Sequence, residues 1–207
     1  MKKKKLKKFI VGILLVALLI LVGLFVYDKL FKKEEVKEVK VISKIDKYGY
    51  SLKENKPKEY KDMFKELEKI LNEEKVDEEK YVSQIAKMYI YDFYSLNDKM
   101  AKTDIGGVDF VYSEVLENYL KKAQDTYYKY VESNIYNNRK QNLPVVTNIQ
   151  LGDITQKEYA YGDKTDEKAY YVDVAWEYTN SSFNSYQKEA TLVFIHDGIK
   201  LCLVELQ

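Results

Sequence analysis

Apolar and polar positions divide the chain into three parts with different patterns. Residues 9–27 are continuously apolar (FIVGILLVALLILVGLFVY), residues 28–45 are mostly charged with isolated valines and isoleucines, and the rest shows short apolar periods. A helix rises about 1.5 Å per residue, so a helix of residues 9–27 would nearly match the ~30 Å hydrocarbon core of a membrane. The pattern predicts a basic tail at 1–8, a transmembrane helix at 9–27, a charged stem at 28–45 and a folded domain at 46–207.

The apolar run is longer than the hydrophobic part of a typical cleaved signal peptide. That part usually has about 7 to 15 residues and ends at a small-residue cleavage site. After Val22 the chain reads Gly-Leu-Phe-Val-Tyr, with no pair of small residues two positions apart. An uncleaved anchor is therefore favoured, and cleavage is the alternative.

The orientation of the predicted helix depends on the short tail before it. Residues 1–8 carry six lysines and no acid, whereas residues 29–40 carry five lysines, so the count alone is nearly even. Moving each tail charge outward against a membrane potential costs about 2.3 kcal/mol per 100 mV, while a large downstream domain crosses largely regardless of its charge. We therefore expect a single-pass cell-membrane protein that contacts the lipid bilayer through residues 9–27, with a cytoplasmic N-terminus and an extracytoplasmic C-terminal domain.

The first half of the predicted domain carries apolar positions spaced three and four apart, which is typical of amphipathic helices. Pro57 suits a first helical turn, and Asp77, followed by two glutamates, suits the cap of a second helix. A third helix is predicted from about Ser113, after a break at residues 103–107, and residues 108–112 are compatible with a short strand. The inward positions are Tyr60, Met63, Phe64, Leu67, Ile70 and Leu71, then Val82, Ile85, Ala86, Tyr89, Phe93 and Leu96, then Leu116, Tyr119, Leu120, Ala123, Tyr127, Tyr130 and Val131.

Past Pro144 the apolar period changes to two, which is typical of strands. Strands are predicted at residues 145–161, 169–179, 187–196 and 199–206. Asp197-Gly198 between apolar runs is a type I′ hairpin signal. The predicted register pairs His196 with Ile199, Phe194 with Leu201 and Leu192 with Leu203. The fold class expected is α+β: an N-terminal transmembrane helix, then about three helices packed on a C-terminal antiparallel sheet of about four strands.

The composition limits which classes of partner the chain can bind and which cellular compartment it suits. The net charge is +1, and it becomes −5 when the six lysines of the tail are left out. An acidic domain whose only arginine is Arg139 is not suited to contact phosphates, so nucleic-acid binding is not expected. Cys202 is the only cysteine, so no intramolecular disulfide can form. An outward-facing domain without disulfides is more typical of a bacterial surface than of a eukaryotic secretory route.

His196 is the only histidine, and it lies beside the predicted hairpin turn. It would be the natural general base if the fold enclosed a catalytic cavity. A base also needs a second group that orients its ring, and no acid in the sequence can be assigned that role. We therefore expect no catalytic residue, and we expect His196→Gln to leave the biological activity within a few fold of wild type.

Two carboxylates on the predicted strand 169–179 share a face. Asp173 and Glu177 lie on the same side as Tyr171, opposite Tyr170 and Trp176. Carboxylates four residues apart on a strand are about 13 Å apart, too far to act together on one bond. A polar sheet face is the favoured interpretation.

Metal and phosphate sites are not indicated. Metal ions need clustered histidine, cysteine or carboxylate ligands, and this chain has one histidine, one cysteine and dispersed acids. Gly106-Gly107 lacks the lysine and hydroxyl residue of a P-loop, and residues 104–109 lack the alternating carboxylates of a calcium loop. No metal, no cofactor-binding residue, no cofactor and no enzymatic activity are therefore expected.

Three helices followed by an antiparallel sheet that ends in TLVFIHDGIKLCLVEL resemble the cone-shaped cystatin-like fold typified by nuclear transport factor 2. The resemblance covers roughly residues 57–207 and rests on element order and on the last hairpin. On a single-pass anchor, such a domain also resembles the bitopic assembly components of type IV secretion and conjugation machines. The resemblance implies that the outer domain binds protein partners outside the membrane and does not catalyse.

Two functions follow as expectations. The first is a membrane-anchored extracytoplasmic interaction domain, an assembly component of a conjugation or secretion machine. The alternative is a domain that binds a small molecule, or acts on it, in an internal cavity of the cone. A deep pocket with convergent polar groups would favour the alternative, and a cone filled by side chains would favour interaction.

Overall fold

Three α-helices and two antiparallel sheets make up the chain from residue 39 onward. The computed structural model describes Leu18, residues 20–22 and residues 39–207, and residues 39–207 form a unit of their own. In chain order the elements of this unit are β1 (Val41–Ile45), β2 (Tyr50–Lys53), α1 (Lys58–Leu71), α2 (Glu78–Tyr94), α3 (Leu116–Asp125), β3 (Val146–Tyr161), β4 (Lys164–Tyr178), β5 (Glu189–Asp197) and β6 (Lys200–Leu206).

α2 is the central helix of the core. The Asp77 carboxylate caps it by accepting hydrogen bonds from the backbone N–H groups of Glu79 and Lys80, each at 3.1 Å. From Tyr81 to Tyr94 most side chains are buried, because α1 packs on one side of the helix and strands β3 and β4 pack on the other. The core therefore buries more residues of α2 than the amphipathic stripe in the sequence includes.

The larger sheet has the strand order β3-β4-β5-β6, and every neighbouring pair is antiparallel. One face packs on the helices through Val172 and Trp176 of β4 and Phe194 of β5. The opposite face has a small apolar cluster of its own. Its members are Tyr112, Ala169, Ile195 and Cys202, with Tyr159, Tyr161, Tyr171 and Val204 packed against them.

The predicted fold class is wrong in two respects. Among the described residues, no helix is both long enough and apolar enough to cross a membrane. The predicted transmembrane helix at 9–27 falls outside the described residues, apart from Leu18 and residues 20–22. The structure also has a second, two-stranded sheet of β1 and β2. The alternation of Tyr48, Tyr50 and Leu52 around Gly49 suggests a short strand or an extended segment at β2, but β1 and its pairing with β2 were not predicted. The cell-membrane localisation inferred from the sequence stays a prediction.

The two-stranded sheet was missed because β1 lies in a charged stretch. Its sequence Val-Ile-Ser-Lys-Ile has no regular alternation, and the lysines and glutamates before it favour the interpretation as a solvated stem. Ile45 is nevertheless buried, together with Tyr50 and Leu52 of β2. This small sheet therefore belongs to the core of the domain.

The β5–β6 hairpin is present, but the predicted register is wrong. The observed pairs are Asp197 with Lys200, His196 with Leu201, Ile195 with Cys202, Phe194 with Leu203 and Leu192 with Leu206. Gly198 has φ +63°, and Ile199 has no positive φ. This is the pattern of a type II′ turn, which has glycine at its first central position. The central turn residues are therefore 198 and 199, one position later than predicted.

The third helix is shorter than the apolar stripe suggested. α3 ends at Asp125, because Thr126 leaves the helical conformation at φ −118°, ψ −90°. The Thr126 hydroxyl donates a hydrogen bond to the Lys122 carbonyl oxygen at 2.6 Å. Residues 108–112 form a short 3₁₀ turn and one parallel bridge, between Val111 and Leu203, in place of the suggested strand.

Candidate functional site

A cleft of about 490 Å³ lies between α2, α3 and β6, and we call it the α3–β6 cleft. Its volume falls within the roughly 300–1,000 Å³ typical of ligand sites. The apolar and aromatic side chains that define it include Phe93 of α2, Tyr119 and Ala123 of α3, and Leu203 and Leu206 of β6. The larger sheet and the helices thus meet along this cleft without filling it.

Aromatic rings form most of the helical wall. The Phe93 ring lies at its centre, with its centroid 5.5 Å from that of Tyr89 and 5.7 Å from those of both Tyr119 and Tyr127. Offset or edge-on rings at these distances attract one another beyond simple burial. The wall is therefore a packed aromatic cluster.

The tyrosine hydroxyls of this wall already have partners inside the protein. Tyr119 donates to the Gly106 carbonyl oxygen at 2.9 Å, Tyr94 donates to Gln187 Oε1 at 3.1 Å, and the Tyr127 and Tyr178 hydroxyls share a 2.8 Å bond. Burial raises the pKa of Tyr94, Tyr119 and Tyr127 well above the usual tyrosine value. These groups stay neutral at physiological pH and are not available as bases.

The rim of the cleft carries two polar side chains on α3. Asn118 and Lys122 are four residues apart, so they lie on the same side of the helix. Both are exposed, and neither has a hydrogen-bond or ion-pair partner among the described side chains. Glu205 on the β6 side accepts a 2.8 Å hydrogen bond from the Tyr159 hydroxyl, which belongs to the cluster on the other sheet face. The α3 side of the rim therefore carries a cation, Lys122, while the Glu205 carboxylate stays charged but is directed to the other sheet face.

A second groove, of about 990 Å³, lies over β4 and β5 and has a different character. Its lining includes Asp173, Lys188 and Glu189. The Asp173 carboxylate is already bonded to the Thr191 hydroxyl at 2.6 Å. This groove is a polar part of the exposed sheet face, as predicted for Asp173, and Glu177 is exposed on the same strand.

An acid orients His196 in the structure, although the sequence alone allowed no acid to be assigned that role. Asp166 Oδ2 lies 2.8 Å from His196 Nδ1 and also accepts the His196 backbone N–H at 2.7 Å. Partial burial raises the pKa of Asp166, but the backbone hydrogen bonds from His196 and Lys168 outweigh it, and the pKa ends below its usual value. Asp166 and His196 meet only through the pairing of β4 with β5, and no local sequence signal reveals that pairing.

The His196 cluster ties three elements together. His196 Nε2 is 3.5 Å from Glu78 Oε2 in the first turn of α2, and the Tyr170 hydroxyl donates to the same Glu78 oxygen at 3.2 Å. No nucleophilic side chain among the described residues is hydrogen-bonded to the His196 ring, and His196 does not line the α3–β6 cleft. The cluster holds the ends of β4 and β5 against α2.

Cys202 is also unsuited to chemistry. Its side chain is buried in the cluster on the outer sheet face. Burial raises the pKa of the Cys202 thiol to about 11, so the reactive thiolate is scarce at neutral pH. Among the described residues, no group of three or more histidine, cysteine or carboxylate side chains is placed to hold a metal ion.

Among the described residues, the most buried charges form a network around Asp92 of α2. Its Oδ1 accepts hydrogen bonds from Lys99 Nζ, at 2.9 Å, and from Lys56 Nζ, and its Oδ2 accepts the Gly107 backbone N–H at 2.8 Å. The Lys99 side chain is only 2% exposed. Gly106-Gly107, predicted as a turn, is thereby fixed against α2. Sequence analysis missed Asp92 and Lys99, which no motif marks.

Opposing effects act on the pKa of each charge in this network. Burial would raise the pKa of Asp92, but Lys99 and Lys56 hold it well below its usual value. Burial likewise lowers the pKa of Lys99, and Asp92 with Asp98 brings it above its usual value. Both groups are therefore charged at neutral pH, and the network joins the β2–α1 connection, α2 and the loop after α2.

No protein-family model, curated protein or solved structure matches this chain. The resemblance to the cystatin-like fold, and through it to secretion and conjugation components, therefore stays a prediction.

Proposed function

We propose that residues 39–207 are a protein-interaction domain that does not catalyse a reaction, and that its binding site is the α3–β6 cleft. The supporting observation is an aromatic wall, with hydroxyls satisfied inside the protein, facing the edge strand of a sheet. Such a wall buries apolar groups of a partner well, as interface anchors require. The only oriented histidine of the chain lies outside the cleft. Assembly of a conjugation or secretion machine is the setting that the resemblance implies.

Photo-crosslinking in cells tests this site. With p-benzoylphenylalanine in place of Asn118 at the rim, we expect a discrete protein adduct of the full chain. The same probe at Ile199, which is 53% exposed at the hairpin turn, should give none. Leu206→Lys should reduce the Asn118 adduct about tenfold, because it places a charge in the apolar wall. His196→Gln should leave the adduct unchanged.

Equal adducts from Asn118 and Ile199, or an adduct that Leu206→Lys does not affect, would contradict the proposal. Far-ultraviolet circular dichroism of the purified Leu206→Lys and His196→Gln variants checks that both remain folded.

A small-molecule-binding function is the second candidate, and the volume of the cleft favours it. Native mass spectrometry of the full chain purified from its own cells would then show a bound small molecule. Such a molecule, in the absence of a protein adduct at Asn118, would make this candidate the correct one.

The domain is proposed to act outside the cytoplasm, in the orientation expected from the six lysines of residues 1–8. Protease added to intact cells or protoplasts should therefore degrade residues 39–207 and leave an N-terminal epitope tag intact. The readout is immunoblotting against both ends of the chain, with a cytoplasmic protein as the lysis control. Protection of the C-terminal domain would reverse the orientation.

A further inference from the structure

β6 forms one wall of the α3–β6 cleft and is an edge strand of the larger sheet. On its outer side the chain before α3 makes one strand-like contact. The Tyr112 N–H donates to the Leu203 carbonyl oxygen at 2.8 Å, and Val111 forms a parallel bridge with Leu203. From Leu203 towards Gln207, the outer edge of β6 has no further neighbouring strand in the described part of the chain.

The backbone of β6 points out along this open edge at Leu206, beyond a β-bulge between Leu203 and Glu205. Thr191 and Gln207 exchange two hydrogen bonds, at 3.1 and 3.0 Å, so the backbone groups of Gln207 face β5. Because these directions alternate along an antiparallel strand, the N–H and C=O of Leu206 face away from β5. An open edge with outward donors and acceptors is a template for an added strand.

The rest of the cleft suits the side chains of such a strand. Successive side chains of an extended segment point to opposite faces, so every second one would enter between α3 and the sheet. There they would meet the rings of Phe93, Tyr119 and Tyr127, and the two tyrosine hydroxyls already have hydrogen-bond partners inside the protein. Backbone pairing at the edge would supply the polar contacts that these walls do not offer.

The charge of Lys122 on the rim indicates which charge the partner carries. Lys122 is exposed, lines the cleft and has no ion-pair partner among the described side chains. The Glu205 carboxylate of β6 keeps its charge, but its hydrogen bond with the Tyr159 hydroxyl directs it towards the other sheet face. A carboxylate on the partner is therefore the complement of this rim.

We propose that the α3–β6 cleft binds an extended peptide segment, which adds to the outer edge of β6 and carries alternating apolar side chains and a carboxylate that faces Lys122. The inference rests on the proposed function, because it names the partner of the same site. It differs from that function in specifying an extended backbone as the group that is recognised.

Peptide selection on the full chain tests the inference. A phage-displayed library of random nonapeptides is the probe, and the best binder is then synthesised with a fluorescent label. We expect a consensus with apolar residues at alternate positions and an aspartate or glutamate. N-methylation of single backbone amides should weaken binding about tenfold or more at one alternate set of positions and less than about twofold at the other, because only every second N–H of a strand faces its neighbour.

A matched pair of α3 variants tests the rim. Lys122→Glu should weaken binding of the selected peptide about tenfold, measured by fluorescence polarisation at low salt. Lys121→Glu changes the net charge equally at an exposed neighbouring position outside the cleft and should change binding less than about twofold. Equal effects of the two variants would overturn the assignment of Lys122.

Other outcomes separate this inference from the proposed function. Uniform tolerance of N-methylation would overturn strand addition. Failure to select any peptide, with the Asn118 adduct still present, would overturn the peptide inference alone and leave the interaction function standing. Concentration-dependent dimers that Leu206→Lys abolishes would identify a second copy of the chain as the occupant and would also overturn the inference.

Discussion

Asp92→Asn is expected to lower the free energy of unfolding by about 3–5 kcal/mol at pH 7, the usual effect of removing one partner from a buried ion pair. The substitution keeps the shape of the side chain and an acceptor for the Gly107 N–H, but it removes the charge. Lys99, 2% exposed, would then be a buried cation facing only the more exposed Asp98. Urea unfolding followed by circular dichroism gives the measurement.

Asp98→Asn is the matched control for this prediction. Asp98 also pairs with Lys99 at 2.9 Å, but its side chain is 23% exposed, so water compensates for much of the loss. We expect a cost of about 1 kcal/mol or less for Asp98→Asn. Equal losses for the two variants would contradict the central role of Asp92.

The pH dependence of the Asp92→Asn effect has a definite sign. The pKa of Asp92 in the folded state lies well below the value of about 3.9 for an unfolded chain, so the charged form favours folding. This contribution is present above about pH 4 and is lost gradually as the pH falls towards the folded-state pKa. The difference in unfolding free energy between wild type and Asp92→Asn should therefore be constant from pH 7 to about pH 5 and shrink below pH 4.

Periodicity carried much of the information about the regular elements. The stripe Tyr60, Phe64, Leu67 coincides with the buried face of α1, and Asp77 caps α2 as its position suggested. β3 to β6 cover the segments in which the apolar period was two. Local patterns were sufficient there because one buried face determines the spacing of apolar residues.

Features that depend on contacts between distant residues were not predictable in this way. The turn at Gly198 is shifted by one position, because Asp-Gly and Gly-Ile are both compatible with a two-residue hairpin loop. Asp166 reaches His196 only through the β4–β5 register, and Asp92 reaches Lys99 through a loop. β1 likewise becomes recognisable as a strand only through its pairing with β2, because its own sequence does not alternate.

The α3–β6 cleft itself could not be predicted from the sequence. Tyr89, Phe93, Tyr119 and Tyr127 fall on helical stripes that were interpreted as core, and the structure places all four in its walls. Residues that line a cleft recur along a helix at the same spacing as core residues, because both sets face the sheet. The space of the cleft remains because α3 ends early, at Asp125, and because β6 is an edge strand.

Phe194→Ala is the second substitution for which we expect a large effect, a loss of about 3–5 kcal/mol in the free energy of unfolding. Phe194 is fully buried on the sheet face that packs on the helices, directly opposite Leu203 of β6. Truncation there removes the buried ring and leaves a cavity between rigid elements, which cannot collapse to fill it. Leu203→Ala should cost about 2–5 kcal/mol for the same reason.

Ile199→Ala provides the control on the same hairpin, because Ile199 is 53% exposed at the turn and should cost no more than about 0.5 kcal/mol. Urea unfolding of the three variants at pH 7 gives the comparison, with an unchanged m-value as the sign that unfolding stays cooperative. A near-neutral effect of Phe194→Ala would mean that this face of the hairpin does not pack on the helices. The register and the cleft wall built on β6 would then both need revision, since Phe194 pairs with Leu203 and Leu203 lines the cleft.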